Sequence, residues 1–193
     1  MKKQAERVNI RGIAVYPHLN KADTKFVSQG EFKTGVRVAE ADAAPIMKKL
    51  AAAFQEHTGK KINKHATNLW KIGEDDNGEP DGTVVFQTKV KNVTMKDGTL
   101  WDRRPQQFDS QAQPIDVMIY GGSEIVVAAE IYAWDAGTSK GISLQPRAVQ
   151  VLKLVESTAT NTDFGVVEGG FIAEKAEASF DPVEDAEGDD FDF

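Results

Sequence analysis

Two places along the chain set aromatic rings beside cations, Trp70 and Lys71 next to the basic stretch KKINKH and Trp101 just before Arg103 and Arg104, and a third sets Tyr132 with Trp134 on one strand face. Cations for the phosphates and flat rings for the bases are what a single-stranded nucleic acid needs. Stacking contributes about 1–3 kcal/mol per base with little regard to base identity. Lys33 with Arg37, and Lys89 with Lys91, add positive charge at spacings that put both members of each pair on one face of a strand. The rings also have a second reading. Large aromatics are mostly buried, so Trp70 and Tyr132 fit core packing as well as contact, whereas Trp101, set in polar WDRRPQQ, is expected at the surface.

Other chemistries find little support. The chain has no cysteine, which excludes disulfides and thiolate metal sites and fits a reducing cytoplasm. His18, His57 and His65 show no metal-ligand spacing, and the acidic loop from Glu74 to Asp81 lacks the twelve-residue ligand pattern of a calcium site. No phosphate-binding GxxxxGK[ST] loop, no GxGxxG after a strand and no GxSxG elbow occurs. The expectation is a binding protein, not an enzyme, with no metal and no cofactor. A metal-dependent nuclease built from scattered carboxylates is a weaker rival. No secretory signal or membrane span is expected either.

The elements that must position these residues read mostly as strands. Residues 8–16 and 32–38 are rich in β-branched and aromatic side chains, and the second alternates Phe32, Thr34, Val36 and Val38 against Lys33, Gly35 and Arg37. In 83–92, Val84, Phe86 and Val90 should face a core, leaving Gln87, Lys89 and Lys91 outward. KDGT at 96–99 predicts a tight hairpin turn. Strands are further expected at 114–120, 124–134 and 140–156, with Pro146 marking an edge or a bulge in the last. One helix is predicted over 42–57, capped by Asp42, with an apolar stripe of Ile46, Met47, Leu50 and Phe54 and a stop at Gly59. Many strands at short spacing with one helix predict a mainly β fold, a small barrel in preference to a doubly wound sheet.

Charge is unevenly placed. The net charge is -7, but without residues 176–193 the remainder carries +1, and the first 71 residues hold fourteen Lys or Arg against six Asp or Glu. The last eighteen residues, AEASFDPVEDAEGDDFDF, carry eight carboxylates and no cation. So acidic a segment, poor in aliphatic residues, is expected to form a disordered tail, with a domain over 1–173 and the tail over 174–193. Phe180, Phe191 and Phe193 make that tail more than a solubilising appendage: it could compete with an anionic polymer for a basic groove, or dock a terminal ring in a partner's pocket.

A basic, strand-rich body followed by an acidic tail ending in DDFDF resembles the single-stranded DNA-binding proteins of short-tailed phages and their relatives. The layout of Gly121-Gly122, a long strand through Tyr132, and Lys140-Gly141-Ile142 leading into Ala148-Val149-Gln150-Val151 resembles the same group. Bacterial single-stranded DNA-binding proteins also end in an acidic tip with Phe, but carry Pro where Asp192 stands here. The resemblance implies an OB-fold, a five-stranded partly open barrel, elaborated by one inserted helix and long loops. It implies that a strand face and its flanking loops bind single-stranded DNA. It further implies that Asp189, Asp190, Phe191, Asp192 and Phe193 recruit replication and recombination proteins in a bacterial host cytoplasm, and it allows a homodimer. A protein-interaction adaptor whose body does not touch DNA is the alternative.

Overall fold

A computed structural model describes residues 6–63, 67–75 and 77–155, all within one compact unit. The expected boundary at 173–174 and the acidic tail lie outside the described residues. In chain order the elements are β1 (Arg7–Asp23), β2 (Glu31–Ala39), α1 (Glu40–Thr58), β3 (Trp70–Glu74), β4 (Pro80–Lys91), β5 (Val93–Thr94), β6 (Leu100–Trp101), β7 (Gln106–Phe108), β8 (Glu124–Asp135) and β9 (Lys140–Lys153). Seven of them form a sheet in the order β3-β4-β2-β1-β8-β9-β7, antiparallel except for the β7–β9 pair. β5 and β6 form a separate ribbon, closed by the turn expected at KDGT.

Alternation in the long strands decides which face is buried. Val36 and Val38 of β2, Val84 and Phe86 of β4, and Ile125, Val127 and Ala129 of β8 point into one core, and Phe32 and Val90, partners across β2 and β4, are buried as well. The sheet curls because β1 serves two partners. Its residues 7–13 pair with β8, and from Ile13 onward it pairs with β2. Gly12 sits at that switch, where a Cβ would lie 2.1 Å from the Arg37 carbonyl oxygen, so only glycine allows the strands to cross so closely. β4 in turn lies against β9, which brings β1, β2, β4, β8 and β9 into the expected five-stranded, partly open barrel.

Helix α1 packs against β2, β4, β8 and β9 and closes one end of the barrel. Ala43 and Leu50 are buried, and Ile46, Met47 and Phe54 pack against the core, as the stripe predicts. Gly59 ends the helix in the left-handed region (φ 72), its N–H donating to the Gln55 carbonyl. The start differs from expectation. The helix begins at Glu40 directly off β2, so the cap position falls to Ala39, which has no capping side chain, and Asp42 lies inside the first turn. There its charge still complements the helix dipole.

Two further strand expectations change. Residues 114–120 pair only through a single bridge at Pro114. Side chains take the place of a ladder: Asn20 accepts from the Ile119 N–H and Gln107 from the Val117 N–H. Pro146 marks a bulge and not an edge, because β9 lies between β8 and β7 and its register with β8 shifts between Ala128 and Ala129. Among the described residues no helix is long and apolar enough to cross a membrane.

Candidate nucleic-acid interface

The face of β2 turned away from the core carries Lys33 and Arg37, and on β4 Lys33 stands directly opposite Lys89. Lys33 and Lys89 line a groove of about 320 Å³ together with Lys71, Glu31, Thr67, Asn68 and Ser143. The groove opens where β3 leaves β4 and β9 approaches, so it is a product of barrel closure. Asp23 accepts a hydrogen bond from the Lys33 ammonium at 2.6 Å, and this bond holds the Asp23 carboxyl below the usual carboxylate range. Neither Lys71 nor Lys89 forms an ion pair among the described residues. Three cations stand around one small groove against two carboxylates, Glu31 in the groove and Asp23 on Lys33, which leaves a local excess of positive charge suited to an anionic backbone. Lys91 is exposed two residues beyond Lys89, opposite Glu31.

A second cluster flanks this groove. The Arg103 guanidinium lies over the Trp101 ring, 5.3 Å from its centroid, and donates to Gln145 Oε1 at 2.7 Å. Burial, and then the neighbouring Arg147, hold Arg103 below its ordinary pKa, against the pull of Glu130 and Tyr132. The group stays charged at any physiological pH. Its Nε is buried without a hydrogen-bond partner among the described residues. The Arg103 N–H donates to Asn92, whose own side chain donates to the Gln29 carbonyl, so the end of β4, the β1–β2 loop and the Trp101 segment are tied at one residue.

Tyr132 is 46% exposed and stands opposite Ser143, which with Leu144 lines the lysine groove from β9. Trp134 lies two residues on, opposite Gly141, where a Cβ would come within 2.5 Å of the indole. The bare glycine backbone is therefore the floor under that ring. The Trp134 carbonyl accepts from His57 Nε2 at 3.0 Å, which anchors this end of β8 to α1.

The structure thus brings Lys33, Lys71 and Lys89 into one groove, with Lys91, Trp101, Arg103, Tyr132 and Trp134 around its β4 and β9 sides. Three residues fall elsewhere. Trp70 is only 2% exposed and meets Phe86 edge-on at 6.3 Å, so it is core packing and presents no face to a base. Arg104 points to Asp116, with which it forms a salt bridge beside Pro105 and Phe108, away from the Trp101–Arg103 stack. Arg37 lies on the correct face but lines a different cleft. Residues 189–193 lie outside the described residues. Thr67, Asn68 and Ser143 enter the groove only through long-range pairing, and no local sequence signal marks them.

A five-stranded, partly open barrel with a helix across one end defines an OB-fold, here with basic and aromatic side chains on its outer strand face. No family model matches the chain, and no curated protein sequence matches it. Among solved structures, the chain is similar to gp2.5, a single-stranded DNA binding protein encoded by bacteriophage T7, with TM-score 0.58 and 21% identity over 88% of this chain and 99% of that one. It is also similar to the single-stranded DNA-binding protein of bacteriophage Enc34 in complex with ssDNA, with TM-score 0.56 and 15% identity over 78% and 88% of the two chains.

Proposed function

We propose that this protein coats single-stranded DNA with little sequence preference, in the manner expected of a phage replication and recombination protein. The observation that carries the reading is the lysine groove of Lys33, Lys71 and Lys89 with Tyr132 and the Trp101–Arg103 stack beside it. Phosphates lie along the cations while bases stack on the rings, a division of labour that needs no base-edge hydrogen bonds. The fold shared with two phage single-stranded DNA-binding proteins supports it. The chemistry is binding, and no bond is broken.

The acidic segment ending in Asp189, Asp190, Phe191, Asp192 and Phe193 completes the proposal. Without DNA it occupies the basic groove electrostatically. DNA displaces it, and the freed segment becomes available to replication and recombination partners in the host cytoplasm. A homodimer is compatible with this scheme.

Titration of the full-length protein with a fluorescent oligo-dT strand and with the corresponding duplex, at low and moderate salt, tests the reading. The expected result is a clear preference for the single strand, weakening with salt by a slope of roughly -0.7 per phosphate contact in log–log form. Binding to neither would replace it with the adaptor reading, and equal binding to duplex would remove the single-strand preference.

A further inference from the structure

Tyr16 breaks the pattern of its own strand. Ala14 of β1 is buried and Val15 faces outward, so alternation assigns Tyr16 to the core. Instead Tyr16 is 86% exposed, its backbone is left-handed (φ 46), and the β1–β2 register shifts between Val15 and His18. A bulge followed by Pro17 has re-aimed the side chain, at the cost of a conformation that bulky residues rarely adopt. Backbone outliers that persist in this way are found where a function holds them in place.

The ring has been turned onto a bridge between two recesses. With Lys33 and Gln87 it lines a shallow hollow of about 220 Å³, and Lys33 continues from there into the lysine groove. On its other side Tyr16 lines a cleft of about 590 Å³ with Arg37, His18, Met118 and Tyr120. That cleft is largely apolar, yet Arg37 stands at its side and Ile13, Met118 and Tyr120 are exposed in or near it. Lysine groove, Tyr16 and Arg37 cleft therefore form one track across the outer face of β1 and β2. Its cations are spaced along an aromatic and apolar floor, which suits a polyanion with flat bases better than a globular partner.

We infer that Tyr16 is a stacking platform for a base of single-stranded DNA and that the strand continues past it into the Arg37–Tyr120 cleft. The inference rests on the proposed single-strand binding and extends its path beyond the residues the sequence singles out.

The test is titration of wild type, Tyr16→Phe and Tyr16→Gly with dT oligonucleotides of roughly 4–16 nucleotides, the range one such fold occupies. Tyr16→Phe keeps the ring and should bind like wild type. Tyr16→Gly should lose about tenfold or more in affinity for the longer strands, while melting no lower than wild type, because glycine accepts the left-handed backbone. A 5-iododeoxyuridine strand photo-crosslinked to wild type should yield an adduct on Tyr16, and this decides the matter alone if Tyr16→Gly fails to fold. Undiminished binding by Tyr16→Gly at every length, or adducts mapping only to other residues, would overturn the inference and leave single-strand binding intact. A wild-type protein that binds no single strand would remove both.

Discussion

Lys33 on β2 and Lys89 on β4 stand directly across from each other on the outer sheet face, two like charges in one register. Such pairs destabilise a sheet, and here only Lys33 has an anionic partner, Asp23. The arrangement makes sense if an external anion supplies the missing charge. Replacing Lys89 by Gln should therefore weaken DNA binding and reduce the salt slope by about 0.7, yet leave folding stability unchanged or raised by up to about 1 kcal/mol. Lys33→Gln should weaken binding too but lower stability, because it deprives Asp23 of its partner. Salt-dependent titrations and urea melts of the two variants separate these outcomes.

Much of this was legible in the sequence, and the rest depends on long-range contacts or on irregularities that override a local pattern. Val84, Phe86 and Val90, the stripe around Leu50 and the stop at Gly59 are written in local periodicity, and each sits where the pattern puts it. Trp70 was not legible. Its neighbours in the chain are basic, but its burial follows from pairing with Phe86 across β3 and β4, a contact no local pattern encodes. Tyr16 was not legible for a different reason: alternation is a local rule, and a bulge overrides it. Residues 114–120 have a strand's composition, but Asn20 and Gln107 side chains satisfy part of their backbone in place of a neighbouring strand.

Gly141 is predicted to be intolerant of any side chain. A methyl group there would meet the Trp134 ring at 2.5 Å, so the ring must swing off its floor. Gly141→Ala should lower stability by about 1–3 kcal/mol, the usual range for overpacking, and shift tryptophan emission. If Trp134 contributes to stacking, the same variant should also show less quenching by oligo-dT.

Arg103 is expected to matter for folding as well as for DNA. Arg103→Ala removes the donor to Gln145 Oε1 and the cation over Trp101, and should cost about 1–3 kcal/mol in a chemical melt. Arg103→Lys keeps the charge but not the planar group that both stacks and donates, so it should recover only part of that loss. A lysine variant as stable as wild type would show that charge alone suffices.

Acid should lower the stability of the body modestly, through three carboxylates at its surface. Asp23, Asp116 and Asp135 are all held below the ordinary carboxylate range, chiefly by hydrogen bonds from Lys33, Arg104 and Lys140 respectively. A carboxylate with a depressed folded-state pKa contributes its stability in full above the unfolded value of about 3.9, and loses it as pH falls through the lower, folded value. Urea midpoints should therefore stay level from neutral pH to about pH 5 and fall below about pH 4. Asp116→Asn should be less stable than wild type at neutral pH and converge with it in acid.

Removal of residues 177–193 tests whether the acidic segment competes with DNA. The segment deletes eight carboxylates, while the groove it is proposed to occupy carries Lys71 and Lys89 without ion pairs among the described residues. Competition between charges is screened over about 10 Å at 0.1 M salt and over about 30 Å at 0.01 M. Truncation after Ala176 should therefore raise affinity for oligo-dT most at low salt, with the two proteins converging as salt increases. A gain independent of salt would point to a steric block in place of an electrostatic one, and no gain at low salt would mean the segment leaves the groove free.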